Sequence, residues 1–130
     1  MPKNLSLFDI ITTKALGECF ESFPIPCTFN ALDFCKSDDN NCERVVYHTF
    51  KWLSDNEYIR FAKVEMGKWP NILDVELTEK GLRILHEKVD VLGFNGSLGT
   101  LMKKACKAGG EALVSEAVKL LFAFGSHINL

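Results

Sequence analysis

The sequence lacks the features that mark a membrane-spanning, secreted or catalytic protein. No stretch offers 18 uncharged apolar residues, so we expect no membrane association. The start, MPKNLSLF, has no signal-peptide pattern, which predicts a cytoplasmic protein. We find no nucleophile elbow, no phosphate loop, no metal-ligand set and no carboxylate pair on one rigid face. We therefore predict a non-enzymatic protein without a catalytic residue, a cofactor or a metal.

The five cysteines form no C-x-x-C pair, and an odd number cannot all pair within one chain. We expect reduced, mostly buried thiols. Cys35 and Cys42 flank a polar turn, so these two are able to approach each other. No zinc spacing is met, and we assign no metal site.

The composition is close to that of an average globular protein, with 47% hydrophobic and 25% charged residues, and it suggests neither disorder nor a fibrous architecture. A chain of 130 residues suits one compact domain. The formal net charge of −2 argues against a surface that binds nucleic acid all over, although a local basic patch is compatible with it.

The chain is organised around residues 42–86, where the pattern predicts helix, strand, turn, strand and helix. The first of these helices is amphipathic. Its buried stripe comprises Cys42, Val46, Phe50 and Leu53, and its opposite side carries Arg44, His48 and Lys51. The strands RFAKVEM and ILDVEL flank a turn at GKWPN, and Thr78 caps the closing helix.

The segment before residue 42 predicts a first helix over residues 6–22, with a capping box formed by Ser6 and Asp9. Two prolines make PIPCTF an extended connector or a short edge strand. Asn30 begins a short helix of about two turns with Leu32 directed inward. Asn40, with Glu43 three residues later, forms a second N-cap signature.

The C-terminal segment, residues 93–130, begins with a joint marked by Gly93, Gly96 and Gly99. Residues 97–124 predict an amphipathic helix that bends at Gly109 and Gly110. Its apolar face must pack against the first helix or against a second copy of the chain, and we favour a homodimer. The residues assigned to this interface are Leu101, Ala105, Leu113, Ala117, Leu120, Leu121 and Phe124.

The run VVYHTFKWLSDNEYI, followed by a hairpin and then ELTEKGLRIL, resembles the winged helix-turn-helix superfamily. A narrower pattern is similar to a phage- and prophage-associated family of unknown function. The resemblance implies an α+β, mainly α, winged-helix fold over residues 1–92, with a two- or three-stranded wing and an added C-terminal helix. It also implies that double-stranded DNA is contacted by Arg44, Tyr47, His48, Lys51, Lys63 and Lys68. We add Trp69 to this set, because a large aromatic residue in the turn GKWPN has little core to reach, which favours partner binding, packing across a dimer or folding back.

The sequence departs from a DNA reader at the start of the presented helix. Asp38, Asp39 and Glu43 place negative charge where phosphates are expected to lie. Two hypotheses therefore remain. One is a small transcriptional regulator of phage or bacterial type. The other is a protein-binding module, either a toxin-neutralising immunity protein or a phage-encoded modulator, that uses the same fold as a scaffold.

Overall fold

A computed structural model of the chain describes residues 3–36 and 41–128, and it shows an α+β fold that is mainly helical. The helices are α1 (Lys3–Ser22), α2 (Cys42–Asp55), α3 (Glu79–Leu85), α4 (Leu98–Lys104) and α5 (Gly110–Ile128). The strands are β1 (Cys27–Asn30), β2 (Ile59–Arg60), β3 (Lys63–Glu65), β4 (Asn71–Leu77), β5 (Lys88–Val91) and β6 (Phe94–Ser97). A 3₁₀ turn (Ala31–Asp33) follows β1, and a π-helical turn (Ala105–Gly109) joins α4 to α5.

The strand β4 is the centre of an antiparallel sheet. It pairs with β1 on one side, in the register Phe29 to Ile72, and with β2 and β3 on the other. Ile72, Val75 and Leu77 of β4 are buried. Val75 and Leu77 follow the alternation of a strand, but Ile72 is three residues before Val75, and the pairing with β1 is irregular here, where Asp74 has a positive φ. The predicted edge strand at PIPCTF and the predicted hairpin around GKWPN are both confirmed, although the hairpin's first arm is divided into β2 and β3.

Helix α2 has the two faces that its periodicity predicts. Val46, Phe50 and Leu53 are fully buried, and the ring of Phe50 contacts those of Phe29 and Phe34, which also contact each other. Arg44, His48 and Lys51 are exposed on the other side. Burial of this apolar stripe stabilises the helix far more than its intrinsic propensity does.

A disulfide joins Cys42, the first residue of α2, to Cys35, and their Cα atoms are 5.9 Å apart. The prediction that the cysteines are reduced is therefore wrong for this pair, while Cys19, Cys27 and Cys106 are free thiols. Such a bond is unusual in a cytosolic protein, where thiols are normally kept reduced. The bond links the start of α2 to the segment just after the 3₁₀ turn, and this covalent link limits how far the helix can move.

Three predictions before residue 42 need revision or lie outside the described residues. Helix α1 begins at Lys3, so Ser6 and Asp9 lie within it and do not form a capping box. The helix after Asn30 is a single 3₁₀ turn, in which Asn30 and Asp33 form the capping box and Leu32 is exposed. Asn40 lies outside the described residues.

The glycine-rich joint predicted at Gly93, Gly96 and Gly99 is instead a hairpin formed by β5 and β6, followed directly by α4. Leu92 and Gly93 both have positive φ, which is the geometry of a two-residue hairpin turn. At Gly99, an added Cβ would lie 2.4 Å from the ring of Phe20, so this glycine permits close packing of α4 on α1. The segment is thus held against the rest of the chain.

The break predicted at Gly109 and Gly110 is present, since α5 follows the π-helical turn and Gly110 has a φ of 72°. The apolar faces of α4 and α5 are covered by the same chain. The buried members of the predicted dimer interface are Leu101, Ala105, Leu113, Ala117 and Leu121, while Leu120 and Phe124 are partly buried against the same core. The assignment of these residues to a dimer interface is therefore corrected, because their side chains pack within the monomer.

Candidate functional site

The exposed side of α2 carries Arg44, His48 and Lys51 in one row, since they follow one another at steps of four and three residues. Arg44 makes no hydrogen bond or ion pair with any residue that the structure describes. The row points away from the buried stripe of Val46 and Phe50, so an external ligand can reach all three side chains. We call this row the α2 face.

One positive charge of the α2 face is partly compensated. The ammonium of Lys51 lies 3.0 Å from a carboxylate oxygen of Asp55, one helical turn further on. Hydrogen bonding and attraction to Asp55 raise the pKa of Lys51. Because both side chains are well exposed, the pair adds little to stability, but Asp55 lowers the positive potential at this end of the face.

The hairpin formed by β3 and β4 carries the two further lysines that the sequence singled out. Lys63 and Lys68 are exposed, and Lys68 lies over the ring of Trp69 at 5.8 Å. Glu65 is two residues from Lys63 and therefore on the same face of β3. The exposed surface of the hairpin therefore carries the positive charges of Lys63 and Lys68 together with the negative charge of Glu65.

Tyr47 and Trp69 are partly buried and pack against the core, so both rings fold back. The prediction that Trp69 has little core to reach is wrong, since its side chain is partly buried against the core. The backbone beside it is also held, because the Asn30 side chain on β1 donates a hydrogen bond of 3.1 Å to the carbonyl oxygen of Trp69. Neither residue extends freely into solvent as a reader of a groove would. The predicted contact set is therefore reduced to Arg44, His48, Lys51, Lys63 and Lys68 as its exposed members.

A groove of about 490 Å³ runs beside the α2 face, between α2 and the first half of α1. Arg44 and His48 line it together with Phe8 and Trp52, and no carboxylate occurs among its described lining residues. The ring of Trp52 contacts Phe8 at 5.4 Å and Phe122 at 5.5 Å, which joins α1, α2 and α5. The spacing of Phe8 and Ile11 predicts that Phe8 belongs to the apolar side of the first helix, but Phe8 was not among the predicted site residues.

A second groove, of about 790 Å³, lies between α1 and the stretch formed by the π-helical turn and α5. We call it the α1–α5 groove. Its lining residues include Asp9, Ile10, Lys14, Cys106, Glu111 and Val114. This groove was not predicted, because a π-helical turn has no recognisable pattern in a single sequence.

No helix of the described residues is long and apolar enough to cross a membrane. The same residues hold no group of three or more histidine, cysteine or acidic side chains arranged to bind a metal ion.

Comparisons with known proteins identify no relative. No protein-family model, no curated protein and no solved structure matches this chain.

Proposed function

We propose that this protein is a winged-helix DNA-binding protein that places α2 in the major groove of double-stranded DNA. In this arrangement α2 is the recognition helix and the hairpin of β3 and β4 is the wing. The order of α2, the hairpin and α3 supports the proposal, as does the edge strand β1 beside β4. An α-helix fits the major groove, which is about 12 Å wide.

The observation that carries the proposal is the α2 face. Arg44, His48 and Lys51 lie in line on the exposed side of a helix whose other side is fixed in the core and whose start is held by a disulfide. Such a row brings donors to phosphates and base edges without moving the backbone, and a rigidly held helix loses little entropy on binding. Lys63 and Lys68 would add phosphate contacts from the wing.

Replacement of Arg44 and Lys51 together by alanine is expected to weaken duplex binding and reduce its dependence on salt. Each phosphate contact contributes about 0.9 to the slope of log affinity against log salt, so the double variant should lose about 1.8. Gel-shift titrations of a pool of duplexes at several salt concentrations measure both quantities.

The matched control replaces Arg83 and Lys88 by alanine. This pair removes the same two charges from exposed positions on α3 and β5 and leaves α2 intact. Its salt slope should stay close to that of the parent. Absence of duplex binding by the parent protein, or equal losses in the two double variants, would contradict the proposal.

Replacement of Asp55 by asparagine is expected to strengthen duplex binding several-fold at low salt. The change removes a negative charge near the phosphates and frees Lys51 from its ion pair. The gain should shrink as salt is added, because the interaction is exposed and screened. The same titrations test it, with Asp90→Asn on β5 as the variant of equal charge away from α2. Unchanged or weaker binding by Asp55→Asn would count against the α2 face.

A second candidate, a protein-binding module, is favoured by one specific observation. The loop between α1 and β1 exposes Phe23 and Ile25, the latter to 72%. Two large apolar side chains exposed within three residues of one loop offer apolar surface that a protein partner can cover. If Phe23→Ser with Ile25→Ser abolishes capture of a partner from the native host, and the Arg44 and Lys51 variant does not, the scaffold hypothesis gains over DNA binding.

A further inference from the structure

The α1–α5 groove has the size and the lining of a small-molecule site. Its volume of about 790 Å³ lies within the range of about 300–1,000 Å³ that is usual for ligand pockets. Ile10 lines it and is 45% exposed, and Val114 adds apolar surface from α5. An isoleucine left in solvent beside a largely apolar cavity indicates a surface that a ligand can cover.

The backbone opens this space at the junction between α4 and α5. The π-helical turn Ala105–Gly109 inserts one extra residue into a turn, and Gly110 then adopts a φ of 72°. Gly110 lines the groove, and an added Cβ there would meet nothing within 4 Å. Isolated π-helical turns are rare and occur frequently at functional sites.

The charged side chains of the groove are Asp9, Lys14, Lys107 and Glu111, and they differ in what they already contact. The ammonium of Lys14 donates a hydrogen bond of 2.8 Å to the carbonyl of Asp33 and lies 5.3 Å from the centre of the Phe34 ring. Lys107 lies in the π-helical turn and Glu111 in the first turn of α5, and both are exposed and of opposite sign.

Asp9 is different, because its carboxylate is partly buried and makes no hydrogen bond or ion pair with a described residue. Burial raises the pKa of Asp9, and no cation among the described side chains offsets this effect. A carboxylate that has lost part of its hydration and has no partner is stabilised by a cation placed beside it. An anion in the same place would add repulsion to the lost hydration.

We propose that the α1–α5 groove binds a small organic cation with an apolar body, whose ammonium group lies against Asp9 and whose hydrocarbon part covers Ile10 and Val114. This site is separate from the α2 face, and its occupancy does not depend on DNA binding.

The test uses three probes with the same six-carbon chain: hexyltrimethylammonium, hexanoate and hexanol. Each is titrated into the isotope-labelled full-length protein, and amide chemical shifts are followed by NMR. We expect hexyltrimethylammonium to bind most tightly, with the largest shifts at residues that line the groove. In Asp9→Asn its affinity should fall roughly tenfold, towards that of hexanol, since the attraction between the carboxylate and the quaternary ammonium is lost.

Two pairs of variants make the result specific. Asp90→Asn removes the same charge from β5 and should bind hexyltrimethylammonium as the parent does. Ala112→Trp fills the groove from α5 and should abolish binding of all three probes, whereas Ala123→Trp, at an exposed position of α5 outside the groove, should not. Binding of hexanoate as tight as that of the ammonium, an unchanged affinity in Asp9→Asn, or undiminished binding in Ala112→Trp would overturn the proposal.

Discussion

Replacement of Phe50 by alanine is expected to lower the free energy of unfolding by about 3–5 kcal/mol, the usual cost of removing a fully buried phenylalanine. Phe50 has 0% exposure and lies at the centre of α2, with its ring centre 5.4 Å from that of Phe29 and 5.9 Å from that of Phe34. The change removes these contacts and leaves a cavity between α2, β1 and the 3₁₀ turn. Because domains of this size are stable by only about 5–15 kcal/mol, the loss is a large fraction of the total.

Urea unfolding followed by circular dichroism measures this loss, provided that the dependence on urea concentration stays the same in parent and variant. Phe23→Ala is the matched control, since Phe23 is exposed in the loop after α1. It should change the stability by less than about 0.5 kcal/mol. Losses of similar size in the two variants would contradict the placement of Phe50 at the centre of the core. A measurable loss of DNA binding in Phe50→Ala at temperatures where it remains folded would further indicate that the α2 face requires a fixed helix.

The sequence was most informative where a strong period coincided with clear end signals. In α2, the spacing of Val46, Phe50 and Leu53 predicted both the helix and its buried side, and these three residues are fully buried. Thr78 predicted the start of α3, and its hydroxyl accepts the hydrogen bond from the amide of Gly81 at 3.0 Å. Signals of this kind are local, so tertiary packing had little opportunity to override them.

The sequence was least informative where the answer depends on what a segment packs against. The apolar face that carries Leu101 and Leu121 has the same pattern whether α1 or a second copy covers it, and only the structure distinguishes the two. The hairpin of β5 and β6 was missed because its strands are four residues long and its turn uses Leu92 at a φ of 47°, which leucine seldom adopts. Asp9 and Ile10 line a groove whose other side is formed by the π-helical turn, and that turn has no signal in the sequence.

The residues of the candidate interface also differ in how well the sequence predicts their placement. Exposure of Arg44, His48 and Lys51 followed from helical geometry alone, since residues opposite a buried stripe must face solvent. The packing of Tyr47 and Trp69 against the core did not follow from the sequence, because large aromatic side chains are found both in the core and at exposed interfaces. Whether the exposed row contacts DNA depends on the partner and stays a prediction.

Replacement of Gly81 by alanine is expected to destabilise the fold by about 2–3 kcal/mol, although it places a better helix former in α3. An added Cβ at this position would lie 2.1 Å from the carbonyl oxygen of Tyr58, closer than real Cβ atoms approach any neighbour. That oxygen accepts hydrogen bonds from the amide and the hydroxyl of Thr78, both at 3.2 Å. The chain must therefore move where β2 begins, at the cost of bonds that hold the start of α3, and forced shifts of this kind typically cost about 1–3 kcal/mol.

The sign of this effect separates steric contact from helix propensity. Propensity alone would make alanine better than glycine by about 1 kcal/mol within a helix, so a stabilised variant would show that Tyr58 and Gly81 are not in contact. Gly67→Ala is the matched control, because an added Cβ there meets nothing within 4 Å, and neither glycine has a positive φ. Thermal unfolding of the two variants beside the parent gives the answer. We expect Gly81→Ala to have a lower midpoint than the parent. Gly67→Ala should leave the free energy of unfolding within about 0.5 kcal/mol of that of the parent.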